Sequence, residues 1–128
     1  PGATLAAVVV LGSARVSITG VAIGGAHAAG VQVAERAQVL MEYCKISSPT
    51  THGVAVGGQG HVTLVGCEVH HCGESGISVT ERSTVDVASC TISDNASGHG
   101  VSLGTSGACT LRGCLVTRNG RNGVVVAG

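Results

Sequence analysis

A repeat of 23 residues is the feature that most constrains the fold of this chain. Four cysteines follow one another at intervals of 23, 23 and 24 residues: Cys44, Cys67, Cys90 and Cys114. A glycine followed by two apolar residues that flank a variable one recurs with the same period, at Gly30, Gly53, Gly76, Gly100 and Gly123. Self-similarity at a fixed period of about 20–50 residues is typical of solenoids, in which each repeat packs on the next.

Each repeat contains three short stretches in which apolar and variable residues alternate, the pattern of a β-strand. In one repeat the inward pairs are Val62/Leu64, Cys67/Val69 and Ile77/Val79. A helical alternative fails, because a period of about 3.6 residues would scatter these side chains around all faces. The sequence therefore predicts an all-β fold, a single-stranded parallel β-helix of about five 23-residue coils with three short parallel sheets around an apolar interior.

The motif Val62-x-Leu64-x-x-Cys67-x-Val69, followed by Gly76-Ile77-x-Val79, resembles the repeat of the right-handed parallel β-helix family. The resemblance covers about residues 14–128, with a partial first coil in residues 1–13, and it implies a right-handed solenoid. Such repeats occur in pectate lyases and related sugar-active enzymes, and in eukaryotic adaptors such as F-box ubiquitin-ligase subunits. The near-constant coil with tight turns looks most like the adaptor group, although a fold by itself does not specify function.

Composition narrows the classes of partner. The 128 residues include 21 Gly, one Tyr and no Phe or Trp, which suits coils that stack small side chains on identical neighbours. Seven basic residues balance seven acidic ones, so we expect no nucleic-acid partner. No apolar run approaches the roughly 20 residues of a membrane span, so we expect no membrane partner. The chain begins and ends within the pattern, which favours one β-helix domain, residues 1–128, from a longer protein.

The cysteines are expected to be free, buried thiols. Five of the six occupy inward positions, and Cys72 alone is predicted to lie in a turn, where it would be the reactive one. Sulfurs in a line cannot form a tetrahedral zinc site, and no C-x₂-C pair occurs, so we expect no metal and no cofactor. Free thiols in this number favour an intracellular, cytoplasmic location.

The spacing of the coils also predicts one polar edge. His71, Asp94 and Arg118 are equivalent residues of successive coils, and a second column contains His52, Ser75, His99 and Asn122, with Glu74 between the two. The candidate binding residues are therefore His71, Asp94, Arg118, His52, His99 and Glu74, in an arrangement where a carboxylate could orient a histidine and an arginine could hold an anion. The alternative is a solvated charge ladder. His27, His61 and His70 are predicted to be isolated.

No catalytic residues are predicted. Glycoside hydrolysis needs two placed carboxylates, whereas the only outward acids expected on the sheets, Glu68 and Asp86, fall on different sheets. The predicted function is a non-catalytic scaffold or protein-interaction module. A carbohydrate-binding or polysaccharide-processing β-helix is the alternative. Residues 124–126 are predicted to form an apolar strand without a polar cap, so we expect either end-to-end self-association or further coils or a capping element supplied by a longer protein.

Overall fold

The computed structural model describes residues 8–25, 29–47, 51–104 and 106–126. Within these ranges the chain forms sixteen strands, and no helix there could cross a membrane. The strands build three parallel sheets, and each complete coil contributes one strand to each sheet. The predicted all-β parallel solenoid of about five coils is therefore confirmed.

The three sheets are named A, B and C in the order in which the chain visits them. Sheet A has six strands: β1 (Val8–Val10), β4 (Val31–Val33), β7 (Val54–Val56), β10 (Ile77–Val79), β13 (Val101–Leu103) and β16 (Val124–Val126). Sheet B has five longer strands: β2 (Arg15–Thr19), β5 (Gln38–Glu42), β8 (His61–Val65), β11 (Thr84–Ala88) and β14 (Ala108–Arg112). Sheet C has five: β3 (Ala22–Gly24), β6 (Lys45–Ser47), β9 (Glu68–His70), β12 (Thr91–Ser93) and β15 (Leu115–Thr117).

Equivalent residues of successive coils lie directly beside one another. Val62 on β8 pairs with Val39 on one side and Val85 on the other, and all three side chains are buried. The apolar residues of each strand point into the solenoid, because successive side chains of a strand point to opposite faces. At the outer coils the same positions are more open: Val21 is 42% exposed, although its position in the repeat is inward. The core is therefore a set of stacked apolar columns.

The repeated glycine is explained by a close approach between coils. A Cβ added to Gly76 would lie 2.8 Å from the carbonyl oxygen of Gly100 and 2.6 Å from a methyl group of Ile92. Gly53 is equally crowded, since its Cβ would lie 2.6 Å from the carbonyl oxygen of Gly76. Glycine is required where two backbones approach this closely. The periodic signal in the sequence thus marks the point where each coil turns tightly into sheet A.

The cysteine column lies where each coil turns from sheet B into sheet C. The thiol of Cys44 donates to the carbonyl oxygen of Ile18 at 3.5 Å, and that of Cys67 donates to the carbonyl oxygen of Met41 at 3.4 Å. Each acceptor lies on the preceding coil, near the end of its sheet B strand, whereas each cysteine lies between two strands. A small apolar side chain with a weak donor suits this position. The shared hydrogen bond with Cys67, together with burial, raises the pKa of Cys90.

The prediction that Cys72 is the reactive cysteine is wrong. Cys72 lies in a turn, but it is only 4% exposed, because its N–H donates to the Oδ1 of Asn95 on the next coil and its side chain is turned inward. Burial raises the pKa of Cys72 to about 12. Cys109 and Cys114 are the partly exposed thiols, since they lie in the last described coil.

Native thiol labelling tests this assignment. With iodoacetamide followed by peptide mapping, we expect Cys114 to react first and Cys109 more slowly, because burial raises the pKa of Cys109 to about 11 and lowers its thiolate fraction. Cys44, Cys67, Cys72 and Cys90 should react only after denaturation. Labelling of Cys72 in the native protein at the rate of Cys114 would contradict the structure.

A matched pair of lysine substitutions tests the inward and outward assignment. Ile92 is fully buried between Val69 and Val116, so Ile92→Lys should cost about 3–5 kcal/mol or abolish folding. Thr91 is the adjacent residue of the same strand and points outward beside Glu68, so Thr91→Lys should change stability by less than about 0.5 kcal/mol. Urea unfolding measures both. Equal midpoints for the two variants would mean that the assignment is reversed.

Candidate functional site

The polar edge predicted from the sequence lies at the turns that lead from sheet C to sheet A. His71, Asp94 and Arg118 each begin such a turn, and all three have left-handed backbones with φ of 56°, 58° and 53°. Gly25 begins the equivalent turn of an earlier coil with φ of 67°. The N–H of His71 donates to the carbonyl oxygen of Ser93, and that of Asp94 donates to Thr117, both at 3.3 Å. The three residues therefore stack in the column that their spacing predicts.

Within this column Asp94 and Arg118 form a bidentate ion pair. The Nε of Arg118 lies 2.8 Å from Oδ1 of Asp94, and Nη2 lies 3.1 Å from Oδ2. Such fork geometry gives the strongest class of hydrogen bond between side chains. The guanidinium holds the pKa of Asp94 at about 2, chiefly through these hydrogen bonds. The carboxylate is thus occupied by Arg118.

His71 forms a different contact from the one expected. Its Nδ1 lies 2.6 Å from the Nδ1 of His70, and the two rings meet edge to face with centroids 4.9 Å apart. One of these nitrogens must carry a proton and the other must accept it. His70, which was expected to be isolated, is therefore the hydrogen-bond partner of His71, and the polar contact of the Asp94 carboxylate is with Arg118.

The second column contains His52, Ser75, His99 and Asn122, and the side chains of the first three accept hydrogen bonds from the backbone of the following coil. The Nδ1 of His52 accepts the N–H of Ser75 at 3.2 Å, the Oγ of Ser75 accepts the N–H of His99 at 3.3 Å, and the Nδ1 of His99 accepts the N–H of Asn122 at 3.1 Å. Each side chain therefore satisfies a donor of the following coil. Turn donors that are removed from the strand ladders need such partners. His52 and His99 are capping residues of the solenoid.

Asparagine side chains extend this ladder towards the core. The Oδ1 of Asn119 accepts the N–H of Asn95 at 3.3 Å and its Nδ2 at 2.8 Å, and Asn95 is fully buried. Glu74 is exposed on the neighbouring turn, where its N–H donates to the carbonyl oxygen of Thr51 at 3.0 Å. Among the described residues, no group of three or more His, Cys, Asp or Glu side chains could hold a metal ion. The edge is built mainly from contacts between coils.

Sequence reasoning missed a second polar cluster, on the outer face of sheet B. The Nδ1 of His61 lies 2.5 Å from the Oγ1 of Thr84, and its Nε2 lies 3.3 Å from Thr63 Oγ1 and 3.5 Å from Asp86 Oδ2. The prediction that His61 is isolated is wrong. The same column spacing would have found the cluster, because Thr84 and Asp86 lie one coil after His61 and Thr63.

Outward acids are also more numerous than the sequence predicted. Glu68 and Asp86 do lie on different sheets, on β9 and β11. Glu42, however, ends β5 on the outer face of sheet B. The sequence pattern did not predict Glu42 as part of the strand. The inward pair of that strand ends at Met41, so the pattern places Glu42 in the turn that follows.

Two of the grooves that cross neighbouring coils border sheets B and A. The groove of sheet B, of about 240 Å³, is lined by side chains of the first three coils: Arg15, Ser17, Gln38, Leu40, His61 and Thr63. The groove beside sheet A, of about 450 Å³, contains two acids, Glu35 and Glu81. The Oε2 of Glu81 accepts the N–H of Gly58 at 3.2 Å, and Glu35 makes the equivalent contact with Gly12. Both acids therefore also stabilise the backbone of a preceding turn.

A titration tests the ion pair. The Asp94 carboxyl carbon should titrate with a midpoint near pH 2 by NMR, because Arg118 stabilises the ionised form. A lowered pKa means that the pair stabilises the fold above the ordinary pKa of an aspartate and that this contribution is lost as the pH falls towards 2. Arg118→Gln should raise the midpoint to about 3.9. Arg121→Gln, on the same turn, is the control, and an equal effect of both variants would argue against the pair.

Comparison with known proteins gives one match. A family model described as "right handed beta helix region" matches residues 6–128, which is nearly the whole chain. Neither the curated proteins nor the solved structures compared with the chain gave a match. Together with the three parallel sheets and the in-register coils, the match shows that this chain belongs to the right-handed β-helix family.

Proposed function

We propose that this β-helix is a non-catalytic scaffold whose sheet faces bind a protein partner. The observation that carries the proposal is that side chains of the polar edge form hydrogen bonds and an ion pair between coils. His52, His99 and Asn95 accept hydrogen bonds from the backbone of a neighbouring coil, and Asp94 is paired with Arg118. An acid–base catalyst needs a group that is free to reach the substrate. Four of the six candidate residues at this edge, namely His52, His99, Asp94 and Arg118, instead form contacts that hold the coils together.

The exposed aromatic ring supports the same proposal. Tyr43 is 67% exposed, and its ring lies against Gly66 of the next coil, where a Cβ would lie 2.7 Å from two of the ring carbons. Its backbone is left-handed, with φ of 56°, so the ring projects from the corner between sheets B and C. Tyrosine is a frequent anchor in protein interfaces because it combines large contact area with few rotatable bonds. Tyr43 is therefore the residue we expect at the centre of a protein contact.

A carbohydrate-binding β-helix is the second candidate, and the groove beside sheet A favours it. Glu35 and Glu81 lie two coils apart, roughly 10 Å between their backbones, with the hydroxyls of Ser78 and Thr80 beside them. Two carboxylates across a polar groove are the minimum for glycoside hydrolysis. Both, however, accept a backbone N–H, whereas one member of a hydrolytic pair must donate a proton to the leaving group. This candidate is therefore the weaker one.

We also propose a reducing, cytoplasmic compartment. All six cysteines are free, and the Sγ of Cys90 accepts the N–H of Cys67 at 3.3 Å. Free thiols in this number are kept reduced in the cytosol, whereas disulfides are common outside it.

Activity and binding screens separate the two functions. On a panel of polyuronates and a glycan array we expect no turnover and no binding. The variants Asp94→Asn and His99→Asn change the edge with little change of shape. A protein captured by the wild-type chain should be retained by both edge variants and lost with Tyr43→Ala. Turnover that disappears in either edge variant would overturn the proposal, and so would specific glycan binding.

End-to-end association is a further part of the proposal. Val124 and Val126 occupy inward positions of β16 but are 45% and 73% exposed, and at the other end Val9 and Leu11 are 47% and 51% exposed. Unpaired strand edges with apolar side chains favour pairing with another chain. Sedimentation velocity should therefore show an average mass that rises with concentration, and Val126→Lys should reduce it. A strictly monomeric species at high concentration would contradict this expectation.

A further inference from the structure

The groove on sheet B is bounded by a row of hydrogen-bond donors. Arg15, Gln38 and His61 begin β2, β5 and β8, and they are in register on adjacent strands. Because neighbouring strands lie about 4.8 Å apart, Arg15 and His61 are separated by roughly 10 Å. The hydroxyls of Ser17 and Thr63 form the second row of the groove. The only apolar side chain that points outward here, Leu40, lies between Ser17 and Thr63 in that row.

One wall of this groove is held in place by the polar cluster described above. The ring of His61 contacts Thr84 through Nδ1, and Thr63 and Asp86 through Nε2. Thr84 and Asp86 lie on β11, on the side of His61 away from Arg15. The ring is therefore drawn towards β11, which leaves the space above Gln38 and Leu40 open. A groove wall whose orientation is set by its neighbours loses little entropy when a ligand binds.

The charges around the groove are complementary to an anion. Arg15 is exposed and presents a planar fork of donors that matches a carboxylate. Of the outward acids on sheet B, Asp86 faces His61, and Glu42 lies on the strand of Leu40 but does not line the groove. The groove therefore presents the guanidinium of Arg15, the amide of Gln38 and the hydroxyl of Ser17 without a lining carboxylate, while His61 and Thr63 are engaged in the polar cluster.

From this arrangement we propose that the groove binds the carboxylate of a Glu or Asp side chain in an acidic segment of a protein partner. Arg15 pairs with the carboxylate, Gln38 and Ser17 provide further hydrogen bonds, and Leu40 contacts an apolar side chain next to the acid. The inference rests on the proposed function, and it adds the place and the chemistry of the contact. Sugar acids present the same carboxylate, and they form a separate arm of the test.

The test is an NMR titration of the folded chain with the blocked tripeptide Glu-Leu-Glu. We expect shifts at the Nε–H of Arg15 and the side-chain amide of Gln38, and much smaller shifts with Gln-Leu-Gln. Arg15→Gln should weaken binding roughly tenfold, which is the effect of losing one charge-assisted hydrogen bond. Gln38→Glu should abolish binding, because it places a like charge in the groove. Arg112→Gln is the control, since Arg112 lies on the same face at β14, outside the groove.

The outcomes separate the inference from the proposed function. Equal shifts with both peptides would overturn the inference, as would an affinity unchanged by Arg15→Gln. Tighter binding of a glucuronate disaccharide than of Glu-Leu-Glu would also overturn it and would favour the carbohydrate alternative. If Arg15→Gln and Gln38→Glu bind a captured protein as well as the wild type does, the groove is not the contact, while the scaffold function stands. Turnover of a glycan would overturn both the inference about the groove and the proposed scaffold function.

Discussion

The hydrogen-bonded stacking of one coil on the next is the interaction on which the rest of this structure depends. Parallel strands in register place every residue beside its equivalent one coil away, as Val39, Val62 and Val85 show. A type of side chain that packs well can therefore recur at the same position of each coil. A side chain that packs badly disturbs the equivalent residues on both neighbouring coils. The crowded glycines, Gly53 and Gly76, mark where the distance between coils leaves no room for a side chain.

The same stacking gives several polar residues of the turns a structural role. Where a coil turns out of its sheet, its N–H groups lose their strand partners, and a buried donor without a partner is costly. Side chains from the neighbouring coil replace those partners: His52 does so for Ser75, and Asn95 does so for Cys72. The His52 and His99 side chains, which the spacing assigned to a candidate binding site, thus cap the backbone of the following coil.

Under the proposed function, the residues available for binding lie on the outer faces. The side chains on these faces are not needed for the hydrogen bonds that join the coils at the turns, and their identity differs from coil to coil. Tyr43 projects from one corner, and Arg15 and His61 bound a groove on sheet B. A rigid scaffold with variable outer residues suits recognition, because the backbone sets the positions of the contacts before a partner arrives. The proposals about protein binding follow from this division between inner and outer residues.

The sequence by itself determined the architecture. Its period defined the coil, and its alternation assigned the three sheets and the inward residues, because a solenoid repeats the same local contacts at every level. It also placed His71, Asp94 and Arg118 in one column.

Only the tertiary structure decided which atoms meet. His71 contacts its chain neighbour His70, and the bidentate fork of Arg118 occupies the Asp94 carboxylate. The Cys72 side chain points inward while its N–H donates to Asn95, and the His61 ring forms a hydrogen bond with Thr84 on the next strand. Such contacts depend on rotamers and turn geometry, which spacing alone does not specify.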